Sequence, residues 1–452
     1  MGSYIPNTKA ERMKMLEEIG FAGFDALFSD VPDSVKLKNP LKLPEGLSEM
    51  EVIGKMRDIA SANKVFKHIF RGAGAYNHYI PSIVKSVISK EEFVTAYTPY
   101  QAEISQGILQ SIFEFQTMIC ELTGMDVANA SHYDGGTAAA ESLVMCTDRQ
   151  RRNAYVSETV NPGVIEVMET YCFGSDTKLV KVPAKDGVTD MDALRRLISE
   201  DDKAACFYVQ QPDFFGNFED ADLLADIVHE AGAKFIMGIN PIAAAITKSP
   251  ADCGADIAVG DGQPLGIPLS YGGPYVGFMA TTSKLMRKLP GRIVGETADA
   301  KGNRAYVLTL QAREQHIRRE KAGSNICSNQ DLCALTASVY MAAMGSAGIA
   351  EVANQSMAKA HYLREKLKKA GFTPLFDKPF FNEFVTECPI DAEELSRRLA
   401  ERGILCGLPL SSDRILWCAT EMNSVQDIER RYGQARPGRP EDRLRLELAT
   451  IK

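Results

Sequence analysis

Apolar residues recur at steps of four and three along Ile108, Ile112, Phe115, Ile119 and Leu122, the spacing of one helix face, and Gly124 stands where such a helix closes. Two shorter helices are announced by capping boxes. Thr8 and Glu11 precede a segment with Met13, Leu16 and Ile19 on one side, ended by Gly20; Ser48 and Glu51 precede one carrying Ile53, Met56 and Ala60. Residues 1–90 therefore read as a mostly helical arm or lid. From about Ala130 the pattern changes to short apolar runs at Ala154–Ser157, Leu179–Val182, Ala204–Val209 and Phe235–Met237, with helical runs between them, such as the one containing Leu224, Ile227, Val228 and Ala231. Strands alternating with helices predict an α/β domain over residues 91–330, built of βαβ units on a largely parallel sheet. Such a sheet binds ligands beyond the carboxyl ends of its strands. After Asn329 a long apolar helical stretch, Leu332–Met344, leads into a smaller α+β unit over residues 331–452, with strands near Phe384–Val385, Ile404–Cys406 and Ile415–Ala419. The tail from Gly433 is rich in Arg and Pro and reads as a mobile end.

Composition narrows the function classes. At 452 residues the chain exceeds one compact core. A net charge of −8, with no long basic tract, argues against nucleic acid as a partner. No apolar run approaches the length of a membrane span. Ten cysteines without a CxxC pair, several in apolar surroundings, read as reduced thiols of a cytoplasmic protein. Six unclustered histidines supply no metal site.

The chemistry gathers on Gly254–Phe278, where a strand at Asp256–Val259 enters a loop broken by five glycines and three prolines, followed by a second apolar run, Tyr275–Met279. Glycines let backbone approach something closely, and prolines stiffen the wall. From Asp252 to Ser283 there is no Lys, His or Arg. Elsewhere, Gly72-Ala-Gly74-Ala-Tyr-Asn77 half resembles a dinucleotide fingerprint but lacks the last glycine, so a structural turn is favoured. Asp134-Gly135-Gly136-Thr137 offers a helix start that would attract a phosphate, but Asp134 is itself an anion placed to cap it. The run Thr309–Gln330 packs Arg313, Arg318, Arg319 and Lys321 around Glu314, His316 and Glu320. A salt-bridged solvent face and a carboxylate or phosphate contact at a subunit boundary both remain open for it. Tyr97 and Tyr100 are core aromatics or site walls; spacing does not decide.

Five stretches together resemble one family: Tyr97–Gly107, Ala128–Glu141, Gly254–Phe278, Leu289–Thr297 and Val307–Gln330. They are similar, in order and nearly unbroken, to glycine decarboxylase, the P-protein of the glycine cleavage system, and more narrowly to the N-terminal (alpha) subunit of its two-subunit form. The resemblance implies the architecture of fold-type I pyridoxal-phosphate enzymes: a large domain with a mostly parallel seven-stranded sheet and a small C-terminal α+β domain. It also places Gln263 where the catalytic half of the family has its cofactor lysine, and Met237 near the place of the carboxylate that pairs with the pyridinium nitrogen. With Asp134 at the phosphate helix, the implied reading is a chain without its own cofactor site and without catalytic residues of its own. Pyridoxal phosphate is then held by a catalytic beta subunit in an alpha2beta2 complex that decarboxylates glycine and passes the aminomethyl group to the lipoyl group of H-protein. Residues expected to reach the partner's site are Tyr97, Tyr100, Ser324, Asn325 and Cys327, with Ser324–Ser328 read as a helix start whose neutral donors face the partner's cofactor phosphate. Two rival classes stay open: an independent aminotransferase-like enzyme, marked by cofactor in the isolated chain, and a scaffold, in which interface changes alter assembly but not turnover. Gly323, where the family usually has Thr, and the tail depart from the family pattern.

Overall fold

The computed structural model describes residues 6–39, 41–326 and 329–433, and the chain divides into two compact units between Lys64 and Val65. In the first unit both capping boxes form, opening helices α1 (Lys9–Glu18) and α2 (Glu49–Ser61). Leu16 is its one buried apolar side chain among the described residues.

The second unit is built on helix α3 (Gln106–Thr123), whose Leu109, Ile112, Phe115 and Ile119 are buried; Gly124 ends it in the left-handed region at φ +70°. The strands that follow are β1 (Val127–Ala128), then, after helix α4 (Gly135–Cys146), β2 (Asn153–Ser157), β3 (Lys178–Val182), β4 (Ala204–Gln211), β5 (Lys234–Ile239), β6 (Ile257–Asp261) and β7 (Gly277–Thr281). They make one seven-stranded sheet in the order β1-β7-β6-β5-β4-β2-β3. Pairs from β6 through β3 are parallel, whereas β7 runs antiparallel to both β6 and β1. The central strands are near-continuous apolar runs because both faces are covered. Phe207, Val209, Phe235 and Met237 meet α3 on one face; Cys206, Tyr208 and Ile236 meet α4 and the 162–174 helix on the other. The rings of Phe207 and Phe235 stack at 6.4 Å, and truncating either to Ala costs about 3–5 kcal/mol.

A hairpin, β8 (Ile293–Ala298) with β9 (Arg304–Thr309), packs against α3 and was not anticipated from the apolar pattern. The stretch expected as a helix over Leu332–Met344 runs on as α5 (Asp331–Lys369), with Gly345 at φ +63° inside it. By length and composition α5 meets the criterion for a membrane-crossing helix, which corrects the expectation that no run approaches that length. Its apolar residues enter two cores instead: Ala334, Ala337, Tyr340 and Val352 join the large sheet, while Ala360, Leu363 and Leu367 join Phe384 and Trp417 of the small one. That small sheet is β10 (Thr373–Pro374), β11 (Glu383–Glu387), β12 (Leu408–Ser411) and β13 (Arg414–Cys418), in the order β10-β11-β13-β12. The expected strand at Ile404–Cys406 is a two-residue pairing of Ile404–Leu405 with His68–Ile69. The Arg- and Pro-rich tail lies outside the described residues from 434 onward.

Candidate functional site

The start of α4, the end of β6 and the start of β7 meet in one cradle beyond the carboxyl edge of the parallel strands. Close approach is enforced by glycine: a Cβ at Gly277 would lie 2.1 Å from the Asp134 carbonyl oxygen. Asp134 is the N-cap of α4, its Oδ1 accepting from Thr137 N at 2.7 Å. The next donor, Gly135 N–H, is taken by Asp261 Oδ2 at 2.9 Å, while Asp261 Oδ1 accepts from Gln263 N at 2.8 Å. Burial pushes the Asp261 carboxyl up to about 6, against the lowering by these two donors. Two carboxylates thus occupy the helix start that would otherwise receive a phosphate.

Gln263 is 2% exposed and its amide is fully engaged. Oε1 accepts from Tyr76 N at 2.8 Å; Nε2 donates to Tyr76 O at 2.9 Å and to Ile267 O at 2.8 Å. It clips the segment Arg71–His78 to the glycine-rich loop. That segment is held at its other side by Glu383, which accepts from Ala73 N at 2.7 Å and from the Tyr76 hydroxyl at 2.6 Å. A Cβ at Gly72 would lie 2.5 Å from Glu383 Oε1, so the glycines here serve a packed turn and no helix follows until Ser82. Met237, 1% exposed, sits in apolar core on β5. His132 bridges to Gly277 through its backbone, and burial pushes its ring down to about 3, so it is neutral; neither ring nitrogen has a hydrogen-bond partner among the described residues.

These residues do not fit a lysine-bound pyridoxal phosphate. Position 263 carries an amide whose nitrogen is not nucleophilic and already makes two bonds. Met237 offers no charge to a ring nitrogen, and the phosphate position is preceded by Asp134 and Asp261.

The other expected residues fall into two groups. Tyr100 lies under the Arg292 guanidinium at 4.8 Å, and Tyr97 is 83% exposed. Arg292 is itself 1% exposed, with Asn329 Oδ1 at 3.3 Å and Glu314 Oε2 at 3.8 Å. Ser324 donates to Glu141 Oε1 on α4 at 2.8 Å and accepts from Ile326 N. Asn325 is exposed and makes no hydrogen bond with the described residues, while Cys327 and Ser328 lie outside them. One expectation, that Ser324–Ser328 is a helix start, is corrected for its described part: residues 324–326 are not helical, and α5 begins at Asp331 with Gln330 as N-cap. The sequence reading missed Asp261, Glu141, His132 and Arg292. Asp261 alone carried a signal, a carboxylate two residues before Gln263 in the same loop.

The family model described as "Glycine cleavage system P-protein" matches residues 2–432. A protein of Moorella thermoacetica named "Probable glycine dehydrogenase (decarboxylating) subunit 1" is 50% identical over 435 residues, 94% of this chain and 97% of its own length. One of the same name from Shouchella clausii is 47% identical over the same shares. Among solved structures, an inhibitor-bound glycine decarboxylase (P-protein) of the glycine cleavage system superposes with a TM-score of 0.88 at 41% identity, covering 94% of this chain and 98% of that one. A Burkholderia pseudomallei sphingosine-1-phosphate lyase, at 12% identity and a TM-score of 0.64 over 93% and 94% of the two chains, shares the fold alone. The fold is that of the fold-type I pyridoxal-phosphate enzymes.

Proposed function

The chain belongs to the glycine cleavage system P-protein family, and on that premise we propose that it is the cofactor-free subunit of a two-subunit glycine dehydrogenase (decarboxylating). Its catalytic partner holds the pyridoxal phosphate and supplies the lysine; two copies of each assemble in the cytoplasm. Together they decarboxylate glycine and hand the aminomethyl group to the lipoyl arm of H-protein. The observation that carries this reading is Gln263, a buried amide bonded to Tyr76 and Ile267 at the turn where a cofactor lysine would stand. Asp134 and Asp261 at the start of α4 support it independently, since like charge would oppose a phosphate there.

The chain's contribution is to complete the partner's site from outside. Tyr97, Tyr100 and Asn325 are exposed and offer surface to a partner, Tyr100 with its ring against the Arg292 guanidinium; half-buried Ser324 ties its segment to Glu141 on α4. Cys327 belongs to the same stretch of chain as Ser324 and Asn325.

The test is cofactor content and exchange of the glycine carboxyl with bicarbonate, measured on this chain alone and mixed with its partner. The chain alone should hold no stoichiometric pyridoxal phosphate and catalyse no exchange; the mixture should do both. A lysine of this chain labelled after borohydride reduction would overturn the assignment and favour an independent enzyme.

A further inference from the structure

Along the flank of α4 lies a cleft of about 610 Å³, between the Arg287–Gly291 turn and the Leu310–Ile326 segment. That volume is in the range of small-molecule sites. Five cations line it: Arg287, Lys288, Arg313, Arg318 and Lys321. Arg287, Arg318 and Lys321 have no carboxylate partner among the described residues, and Arg313 bonds only to the carbonyls of Leu310 and Gly291. Against them stand two buried carboxylates, Glu141 and Glu314, and Glu314 faces Arg292 behind the cleft. Formal charge in the cleft is therefore positive whatever the state of Glu141.

Glu141 is the second, independent sign. It is 4% exposed; Oε1 is held by the Ser324 hydroxyl at 2.8 Å, and Oε2 is buried with no hydrogen-bond partner among the described residues. A buried polar atom without a partner is costly, and one lining a cleft calls for a ligand group to satisfy it. Burial raises the Glu141 carboxyl to about 7, the Ser324 bond only partly opposing it, so a large share carries a proton on the unpartnered oxygen near neutrality. In that form it donates to an acceptor within a ring of positive charge.

We propose that this cleft binds a small organic polyanion, phosphate- or carboxylate-bearing, held by the Arg and Lys side chains, with Glu141 in its lining. Guanidinium forks on opposite walls suit two oxyanion groups at once. The site is separate from the cradle at the start of α4 and does not depend on the reading of Gln263.

The test is isothermal titration of the full-length chain with inorganic pyrophosphate and, separately, with citrate. Binding of either supports the proposal, and the preferred probe tells phosphate from carboxylate recognition. Arg318→Ala with Lys321→Ala, both at exposed positions, should weaken binding by about tenfold or more without lowering the melting temperature. Glu141→Gln, which keeps a donor at the same place, should bind within about threefold of wild type. Arg397→Ala, on an exposed helix elsewhere, should bind unchanged. Absence of binding of both probes at about 1 mM would overturn the proposal, as would an equal loss in the Arg397 variant.

Discussion

Replacing Gln263 with Met removes the clip and little else. Methionine has nearly the length and volume of glutamine, so the cavity contribution is small. What disappears is three hydrogen bonds of 2.8, 2.9 and 2.8 Å, to Tyr76 N, Tyr76 O and Ile267 O. Tyr76 and Ile267 are both buried, so their backbone groups have no ready water. A stranded buried group costs about 1–3 kcal/mol, so three set a range of about 3–9 kcal/mol. Shift of the Arg71–His78 segment toward solvent brings the expectation to the lower half of that range. For a unit of this size about 1 kcal/mol moves the melting temperature by about 1 °C, so a fall of about 4 °C is expected at fixed scan rate. The sharper assay is local. Hydrogen exchange of peptides spanning Tyr76 should accelerate while β5 and β6 stay protected. A melting temperature within about 1 °C of wild type, with unchanged exchange at Tyr76, would refute the role of Gln263 as a structural clip.

Gln263→Lys should gain no cofactor lysine: borohydride reduction with pyridoxal phosphate should leave position 263 unlabelled by mass spectrometry, because Met237, Asp134 and Asp261 still oppose binding. Ser324→Ala should cost about 1–3 kcal/mol by urea titration, since it deprives buried Glu141 of its one hydrogen bond, whereas Asn325→Ala should stay within about 0.5 kcal/mol. In the complex with its partner, Asn325→Ala should instead weaken pyridoxal-phosphate affinity by up to about tenfold; unchanged affinity would remove Asn325 from the shared site. For Glu383, burial holds the folded carboxyl up at about 7 against an ordinary 4.5, with the Tyr76 hydroxyl and Ala73 N–H opposing that rise. Its contribution to stability is therefore complete below pH 4.5 and is lost as pH rises through about 7, on the order of 3 kcal/mol. Glu383→Gln should flatten that part of the stability–pH curve, and an unchanged slope between pH 5 and pH 8 would contradict it.

What the sequence made legible was local. The helix at Gln106–Thr123, both capping boxes and the parallel strands follow from spacing and from side chains three residues apart. The substitution at Gln263 was legible through the resemblance, because the loop around it is long and nearly unbroken. What that glutamine holds was not, since Tyr76 is 187 residues away. The same distance problem hid Asp261, paired with Gly135 across 126 residues, and Glu141, paired with Ser324 across 183. The β8–β9 hairpin escaped because most of its strand positions are exposed or only partly covered, which blurs a period-two pattern. The error at Ser324–Ser328 came from taking Ser and Asn as cap residues when the helix starts farther on, at Asp331.

The engagement of Gln263 makes a change to lysine at that position costly. A lysine introduced at that position alone would strand the Tyr76 amide, set a cation in the core and find Asp134 and Asp261 at the helix start where a phosphate would bind. A carboxylate introduced alone at Met237 would be an unpaired charge inside the sheet. Each single change is expected to cost stability without supplying the rest of a cofactor site. An engineer wanting a self-sufficient enzyme must change positions 134, 237, 261 and 263 in one step, and must find another anchor for Tyr76.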